Sequence, residues 1–221
     1  KQEYLNYKQS GNGSRTQYVE AAINYSRTFG EKHEVGGLLL GFAKDYRLQE
    51  ATSDYLKSLP NRSLGLAGRL TYAYDKRYLI EANIGFNGSE NFAPKNRYGF
   101  FPSVGLGWVI SNEPFFRGAT EVIQYLKLRG TWGRVGNSQI SGRRFAYLAT
   151  VKDTNDTSYQ FGKNMDQTYG TTAIDEYAVD VTWEIADKTN IGLDMRLLNN
   201  KFNLQFDAFK ESRKGIYLRR T

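Results

Sequence analysis

The stretch NGSENFAPKNRYGFFPSVGLGWVISNEPFF, residues 87–116, decides the fold of this chain. A polar, proline-bearing segment leads into a run in which large apolar residues alternate with small ones. Successive side chains of a β-strand point to opposite faces, so one face of this strand is apolar and the other is almost bare. The apolar face carries Phe100, Val104, Leu106, Trp108 and Ile110, and the bare face carries Ser103, Gly105 and Gly107.

The same period of two recurs along most of the chain and predicts an all-β fold of about eight antiparallel strands. In these segments the large apolar residues share one face, and polar or small residues occupy the other. The facing of residues 34–46 is ambiguous, and a short helix is expected only within residues 114–125. The predicted strands span residues 17–29, 34–46, 64–74, 78–87, 100–110, 126–132, 179–197 and 202–209.

The connections between the predicted strands alternate in length. The connections at residues 30–33, 75–77, 111–124 and 199–201 sit at every second junction, three of them with only three or four residues, and the others, at residues 45–63, 87–98 and 136–178, are long. Outer-membrane β-barrels combine short periplasmic turns with long extracellular loops in this way. The pattern favours a transmembrane barrel over a soluble β-sandwich binding module, which has the same period of two and stays open as an alternative.

Aromatic residues mark both ends of the predicted strands. Two aromatic girdles that bound an apolar band are typical of membrane barrels, because amphipathic rings prefer the membrane–water interface. The short-turn ends carry Phe29, Tyr74, Tyr78 and Phe202, and the long-loop ends carry Phe86 and Phe100.

The chain is interpreted as an internal part of a wider barrel. If the short turns are periplasmic, the first strand starts at the cell surface and the eighth returns to it, so both chain ends are extracellular. A closed eight-stranded barrel needs its narrow interior filled by side chains, and Gly105 and Gly107 fill very little. The opening residues KQEYLNYKQS contain no apolar secretory segment, which agrees with an internal position.

Four stretches resemble one family closely and in order. They are LAGRLTYAYDKRYLIEANIGFNGSENFAPKNRYGFFPSVGLGWVISNEPFF (66–116), LKLRGTWGRVGNSQI (126–140), VTWEIADKTNIGLDMRLLNNKFNLQFDAF (181–209) and SRKGIYL (212–218). They resemble the barrel of the SusC/RagA-type TonB-linked outer-membrane transporters of Bacteroidota. The resemblance covers most of residues 17–218 and is highly specific.

The resemblance implies that residues 1–221 are part of a 22-stranded barrel in the cell outer membrane. It also implies a parent protein with an N-terminal plug and a TonB box, neither of which is in this sequence, nor is the closing strand. The implied activity is TonB-energised import of oligosaccharides or peptides with a SusD-like surface lipoprotein as partner. A structural or adhesive outer-membrane barrel without transport is the alternative.

Two groups of residues are candidates for function. In the long loops, aromatic and polar side chains are candidates for contact with substrate, with the lid or with lipopolysaccharide phosphate, although packing within the loops explains the aromatic ones equally well. The loop candidates are Asn91, Phe92, Arg97, Tyr98, Arg143, Arg144, Tyr147, Tyr159 and Tyr169. The predicted lumen-facing residues near a plug are Arg69, Glu81, Ser103, Gly105 and Gly107.

Enzymatic and cofactor functions have no support in the sequence, and no metal or cofactor is predicted. His33 is the single histidine and cysteine is absent, which excludes histidine triads and cysteine-ligated metals. DTNDTS (153–158) lacks the glycine and glutamate of a calcium loop, and GRVGN (133–137) is not followed by the residues of a phosphate loop. The net charge of +7 is scattered along the chain, which argues against nucleic-acid binding.

The assigned facing makes a prediction about assembly of the full-length protein. Leu106→Arg or Ile84→Arg should impair barrel assembly far more than Ser103→Arg, because an arginine at the bilayer midplane costs about 2–4 kcal/mol, whereas one in a wide lumen is hydrated. The measurement is the yield of heat-modifiable protein in outer membranes. Similar yields for all three variants would show that the facing is wrong.

Overall fold

The computed structural model describes residues 13–49, 59–139, 144–161 and 167–218, and leaves out the side chains of residues 49, 152–161, 167–173, 175 and 176. Ten strands form within these ranges. They are β1 (Gly13–Phe29), β2 (His33–Gln49), β3 (Asn61–Tyr74), β4 (Tyr78–Ser89), β5 (Tyr98–Val109), β6 (Ile123–Asn137), β7 (Thr150–Phe161), β8 (Gln167–Glu176), β9 (Glu184–Leu197) and β10 (Phe202–Lys214).

Eight of these strands form one antiparallel sheet in the order β1-β2-β3-β4-β5-β6-β9-β10, which confirms the predicted all-β fold and strand number. Three short 3-10 helices are present in the described ranges, at Pro94–Asn96, Ile110–Asn112 and Pro114–Ala119, and the last lies where a short helix was predicted. The described residues contain no helix that is long and apolar enough to cross a membrane.

The bounds of several strands differ from the predicted ones: β6 and β10 are longer than predicted, and β5 ends at Val109, so that Ile110 begins a 3-10 helix instead of lying on the apolar face of the strand. Two differences are larger. β7 and β8 form a separate hairpin inside the long connection 136–178, and the sequence analysis missed it because residues 150–176 have few large apolar side chains to show a period of two. β9 begins at Glu184 instead of residue 179, so Val179, Val181 and Trp183, which were predicted to belong to this strand, lie before it. These three residues join the long-loop end of the molecule instead.

The register of the sheet places the large apolar residues on one face, called here the outer face. Directly paired residues point to the same side of the sheet. Ile80 of β4 pairs with Tyr72 of β3 and with Leu106 of β5, so these three side chains lie on the outer face. Leu106 is 58% exposed and Ile84 is 53% exposed, and no second sheet covers this face in the described residues. A soluble sandwich needs such a covering layer, so the structure rejects that alternative.

The register also settles the facing of β2. Leu39 pairs with Ile23 of β1 on the outer face, whereas Leu38, Leu40 and Phe42 lie on the opposite, inner face. The inner face of β2 therefore carries large apolar side chains, unlike the neighbouring positions Glu20, Ala22 and Asn24 of β1.

Aromatic pairs lie at both ends of the outer face, as predicted. Tyr74 and Tyr78 stack across the short turn with ring centroids 6.4 Å apart, and Phe86 stacks on Tyr98 beside the long loop at 5.4 Å and an interplanar angle of 7°. These pairs bound the apolar band, as the rings of membrane barrels do.

The short-turn end is organised around Glu113, which is 6% exposed. Its carboxylate accepts hydrogen bonds from Arg77 Nη1 and Trp108 Nε1, each at 3.0 Å. Hydrogen bonds from Tyr78 and Trp108, together with the Arg77 guanidinium, lower the pKa of Glu113, although burial opposes this shift. The ionised carboxylate thus ties the segment after β5 to the turn between β3 and β4.

A small apolar core lies at the long-loop end. Phe92 has no exposed surface, and its ring centroid lies 5.1 Å from that of Trp183, which in turn lies 5.1 Å from that of Phe101. Ala146 is fully buried in the same cluster. These four residues, called here the loop core, join the connections 90–97, 138–149 and 177–183, and they account for the burial of Trp183 outside the strand predicted for it.

Two glycines make room for the loop core. A Cβ atom at Gly99 or at Gly136 would collide with the ring of Phe101. Because Phe101 is held between these two positions on neighbouring strands, the loop core is fixed directly to the sheet.

The loop core generates a prediction for the full-length protein in detergent. Trp183→Ala should cost about 3 kcal/mol or more of local stability, since it removes a buried ring. Protease cleavage within residues 90–97 and 144–149 should then increase by about a hundredfold.

Trp132→Ala is the matched control, because it removes the same side chain from the outer face of β6, where Trp132 is 39% exposed. Its cleavage rate in the loops should stay at the level of the unaltered protein. Equal cleavage of the two variants would contradict a structural role for the loop core.

Candidate functional site

The inner face of β3 and β4 is polar and internally hydrogen-bonded. Arg69 Nε donates to Asn83 Oδ1 at 3.0 Å, and Asn83 Nδ2 donates to Glu81 Oε1 at 2.9 Å. Arg69 and Glu81 also form an ion pair at 3.3 Å, with their side chains 57% and 43% exposed. Exposed pairs of this kind contribute little to stability, so the network mainly provides a hydrated, ordered wall.

A second charged network crosses β6, β9 and β10 on the same face. Arg129 lies between Asp194, at 3.3 Å, and Asp207, at 2.6 Å. Its guanidinium passes over Gly192, where a Cβ atom would approach Arg129 Cζ to 2.5 Å. A side chain at position 192 would therefore displace the arginine that links the two carboxylates.

The register places all five predicted lumen-facing residues on this inner face. Arg69 and Glu81 belong to the first network, and Ser103, Gly105 and Gly107 follow on β5. A Cβ atom at Gly105 would make only ordinary contacts, at 3.5 Å from Thr131 Cγ2. The described residues therefore do not require glycine at position 105, in contrast to Gly99.

A depression of about 430 Å³ surrounds these small residues near the short-turn end. Small, charged and apolar residues line it together. The small ones include Gly36, Thr71, Ala73, Gly105 and Gly107, the charged ones are Glu34, Glu81, Lys127 and Arg129, and Leu79 is among the apolar ones.

Polar contacts of the loop candidates hold the loops together. Asn91 Nδ2 donates to the Ser138 carbonyl at 3.1 Å. Arg144 donates from Nη1 to the Leu59 carbonyl and from Nη2 to the Pro60 carbonyl, both at 2.9 Å. Both predicted residues therefore join separate long connections to each other.

Three other loop candidates are either buried or on the outer side of the sheet, so they cannot directly contact a molecule in the lumen. Phe92 is fully buried in the loop core, so packing within the loops explains this residue. Tyr98 is 51% exposed but stacks on Phe86 at the outer face, and Arg97 lines a groove on that same side. Phe92 thus has the packing role that was its alternative, and Arg97 and Tyr98 lie on the side away from the inner face.

The remaining loop candidates have mixed outcomes. Tyr147 is half-buried and meets the Phe145 ring edge-on at 6.2 Å. Tyr159 and Tyr169 are direct backbone partners across the β7–β8 hairpin, while their side chains and the whole of Arg143 lie outside the described residues.

A second inner-face cavity, of about 550 Å³, lies at the long-loop end, and the sequence analysis missed it. Amide and hydroxyl side chains line it together with aromatic rings and one lysine. These residues are Phe42, Lys44, Tyr46, Asn61, Ser63, Asn87, Ser89, Asn91, Ser138, Gln139 and Trp183. The sequence does contain a sign of this cavity, because polar residues occupy the inner-face positions of β3 and β4 that lie nearest the long loops.

Trp183 links this cavity to the loop core. Its indole Nε1 is buried and has no hydrogen-bond acceptor among the described residues. A buried donor without an acceptor is uncommon in a folded protein, so this N–H is a candidate to donate to a molecule bound in the cavity.

Comparison with known proteins gives related outer-membrane receptors, although no family model matches the chain. The TonB-dependent receptor SusC of Bacteroides thetaiotaomicron is 34% identical over 166 residues, which cover 75% of this chain and 16% of that protein. A TonB-dependent receptor of Formosa agariphila is 29% identical over 214 residues, which cover 86% of this chain and 20% of that receptor. The chain thus spans about a fifth of the length of these relatives.

Solved structures give the same fold. The RagAB peptide transporter superposes with a TM-score of 0.71 at 22% identity, over 91% of this chain and 24% of that one. The RagAB peptide importer in its open-open state superposes with a TM-score of 0.62, over 94% and 25% of the two chains. With its apolar outer face, polar inner face and paired aromatic ends, the chain belongs to the SusC/RagA-type family of TonB-dependent receptors and is a β-barrel segment of an outer-membrane protein.

Proposed function

We propose that the chain is part of an active transporter that imports oligosaccharides or peptides across the outer membrane. The observation that carries the proposal is the inner-face cavity at the long-loop end, which combines many neutral hydrogen-bonding groups with aromatic rings. A structural barrel needs an apolar outer face, but it does not need such a cavity.

The chemistry of the cavity suits a neutral, hydrogen-bonding substrate. The amides of Asn61, Asn87 and Gln139 can donate and accept, as can the hydroxyls beside them. Tyr46 and Phe42 offer ring faces on which sugar rings or peptide groups can pack. Both oligosaccharides and peptides meet these requirements, and the cavity does not choose between them.

The depression at the short-turn end supports the proposal that another segment of the parent protein packs against this wall inside the barrel. Gly105 has ordinary space around it within this chain, whereas at Gly36 a Cβ atom would collide with Thr71 Oγ1. Small residues let another backbone approach closely. In the parent protein this neighbour is the plug that the family resemblance implies, coupled to TonB and through it to the proton gradient.

The contacts between the long loops support the proposal that a lid closes on them at the cell surface. The loop core, the Arg144 contacts and the hydrogen bond from Asn91 fix three long connections relative to the sheet. A surface lipoprotein of the SusD kind needs a preformed rim on which to close, because a rigid contact surface loses less entropy on binding. Tyr147, Arg143, Tyr159 and Tyr169 remain candidates for contact with the lid or with substrate.

Uptake by cells that express the full-length protein and its surface lipoprotein tests the proposal. Cells are supplied with defined mixtures of peptides and of oligosaccharides, and depletion of each compound from the medium is measured with and without functional TonB. We expect TonB-dependent depletion of one of the two classes. Correct membrane insertion without depletion of any compound would favour the structural or adhesive alternative.

Two variants then test the cavity itself. Tyr46→Ala combined with Asn61→Ala should raise the uptake KM by about tenfold, because a ring contact and a hydrogen bond are lost. Leu66→Ala, which shortens an outer-face residue of β3 that is 54% exposed, is the matched control and should leave KM unchanged. An unchanged KM in the double variant would contradict the assignment of the cavity to substrate.

A further inference from the structure

The outer face changes from apolar to basic at the long-loop end of β1, β2 and β3. The last apolar row runs by direct pairing across five strands, and it consists of Val19, Ala43, Leu64, Gly88 and Tyr98. One row further toward the loops, Asp45 pairs with Gln17 and with Arg62, and in the next row Arg15 pairs with Arg47. Each row advances the strand by about 7 Å, so the arginines stand just beyond the apolar band.

One carboxylate is shared among these arginines. Asp45 Oδ1 lies 3.0 Å from Arg47 Nε, and Asp45 Oδ2 lies 2.9 Å from Arg62 Nε. Arg15 has no ion-pair partner in the part of the chain that the structure describes, although it lies directly opposite Arg47. Like charges placed directly opposite each other on neighbouring strands are unfavourable unless an anion bridges them.

A groove of about 330 Å³ lies between the last apolar row and these arginines. Arg97 also lines the groove, and its Nε is buried without a hydrogen-bond acceptor among the described residues. The acidic residues at the groove are Asp45 and Glu90, and its basic lining residues are Lys44, Arg62 and Arg97, so with Arg15 and Arg47 above it the site has five basic groups against two carboxylates. This site, called here the arginine groove, comprises Arg15, Arg47, Arg62 and Arg97 above the side chains of Val19, Leu64 and Tyr98.

The arginine groove marks the level at which the apolar band of β3, β4 and β5 ends. Between this level and the short turns, the outer faces of β3, β4 and β5 carry no charged residue. The arginines of the groove therefore stand at the long-loop border of the apolar band, where the lipid headgroups begin.

We propose that the arginine groove binds an acylated, phosphorylated glycolipid of the outer leaflet. Guanidinium groups bind phosphate through paired charge-assisted hydrogen bonds, which suits Arg47 and Arg62 at the upper side of the groove. An acyl chain of the same molecule lies against Leu64 and Tyr98, whose surfaces continue into the lipid-facing band.

The position of the groove favours a lipid over a protein partner. The apolar part of the groove is continuous with the surface that hydrocarbon covers, and the basic part begins where that surface ends. An occupant must therefore be anionic at one end and apolar at the other, and it must reach the site from within the membrane. This inference concerns the outer face and does not depend on the proposed transport.

The test uses the full-length protein in detergent, lipid A with both phosphates as the probe, and native mass spectrometry to count bound lipid. The unaltered protein should retain lipid A and bind the dephosphorylated lipid at least tenfold more weakly. Arg47→Gln with Arg62→Gln should weaken binding of lipid A by about tenfold or more. Leu64→Asn should also weaken it, although this change leaves the charge of the groove intact.

Two further variants separate binding from folding. Arg15→Gln breaks no ion pair of the described structure, so a loss of lipid A in this variant reports on the ligand and not on the barrel. Arg213→Gln removes an equal charge from the inner face of β10 and should retain lipid A fully. Equal binding of phosphorylated and dephosphorylated lipid, or unchanged lipid A binding in both Arg15→Gln and the double variant, would overturn the proposal. Full competition by inorganic phosphate together with no effect of Leu64→Asn would show an anion site instead of a lipid site, and would also overturn it.

Discussion

Every backbone N–H and C=O group that lies in hydrocarbon must find a partner within the protein, because no water is available there. The antiparallel ladder meets this requirement for the strands between β1 and β10, which are the two edges of the sheet, and β6 pairs directly with β9 across the long insertion that contains the β7–β8 hairpin. Once the strands are paired, the period of two divides their side chains between lipid and lumen. The apolar outer face, the polar inner face and the confinement of irregular structure to the two ends all follow from that pairing.

The two faces have different kinds of order. The outer face has few specific contacts, and its large side chains, such as Leu106 and Ile84, stand exposed toward the membrane. The inner face carries directional contacts instead, such as those of Arg129 with Asp194 and Asp207. Directional contacts on a hydrated wall fix the shape of the inner surface, which the proposed transport function requires.

Much of the fold could be predicted because the outer face obeys one simple rule. The alternation in residues 100–110 gave the facing of Leu106 and Gly105, and the resemblance to known transporters gave the family. The loop core could not be predicted in this way, since Trp183 has the same parity as the apolar residues of β9 and differs only in lying before the strand begins. Likewise, the single-strand pattern could not show that Tyr98 faces outward or that Phe92 is buried, because both depend on contacts between segments distant in sequence.

The candidate site could be predicted only where it depends on the alternation along a single strand. Inner-face positions such as Ser103 follow from parity alone, whereas the cavity near Asn61 and Trp183 requires the register of several strands and the path of three loops. The arginine groove was also hidden in the sequence, where Arg15, Arg47 and Arg62 are far apart, and only the pairing of β1, β2 and β3 brings them to one height.

The central claim is that the face bearing Leu106 meets lipid and the face bearing Gly105 does not. Since this chain contains no cysteine, spin labels can be placed one at a time at positions 103 to 108 of the full-length protein, freed of any cysteines elsewhere and reconstituted in bilayers. Accessibility to oxygen, which concentrates in hydrocarbon, and to a water-soluble nickel reagent is then measured by electron paramagnetic resonance. The account predicts oxygen maxima at positions 104 and 106, alternating with nickel maxima at 103, 105 and 107. The reverse alternation, or no alternation at all, would contradict it.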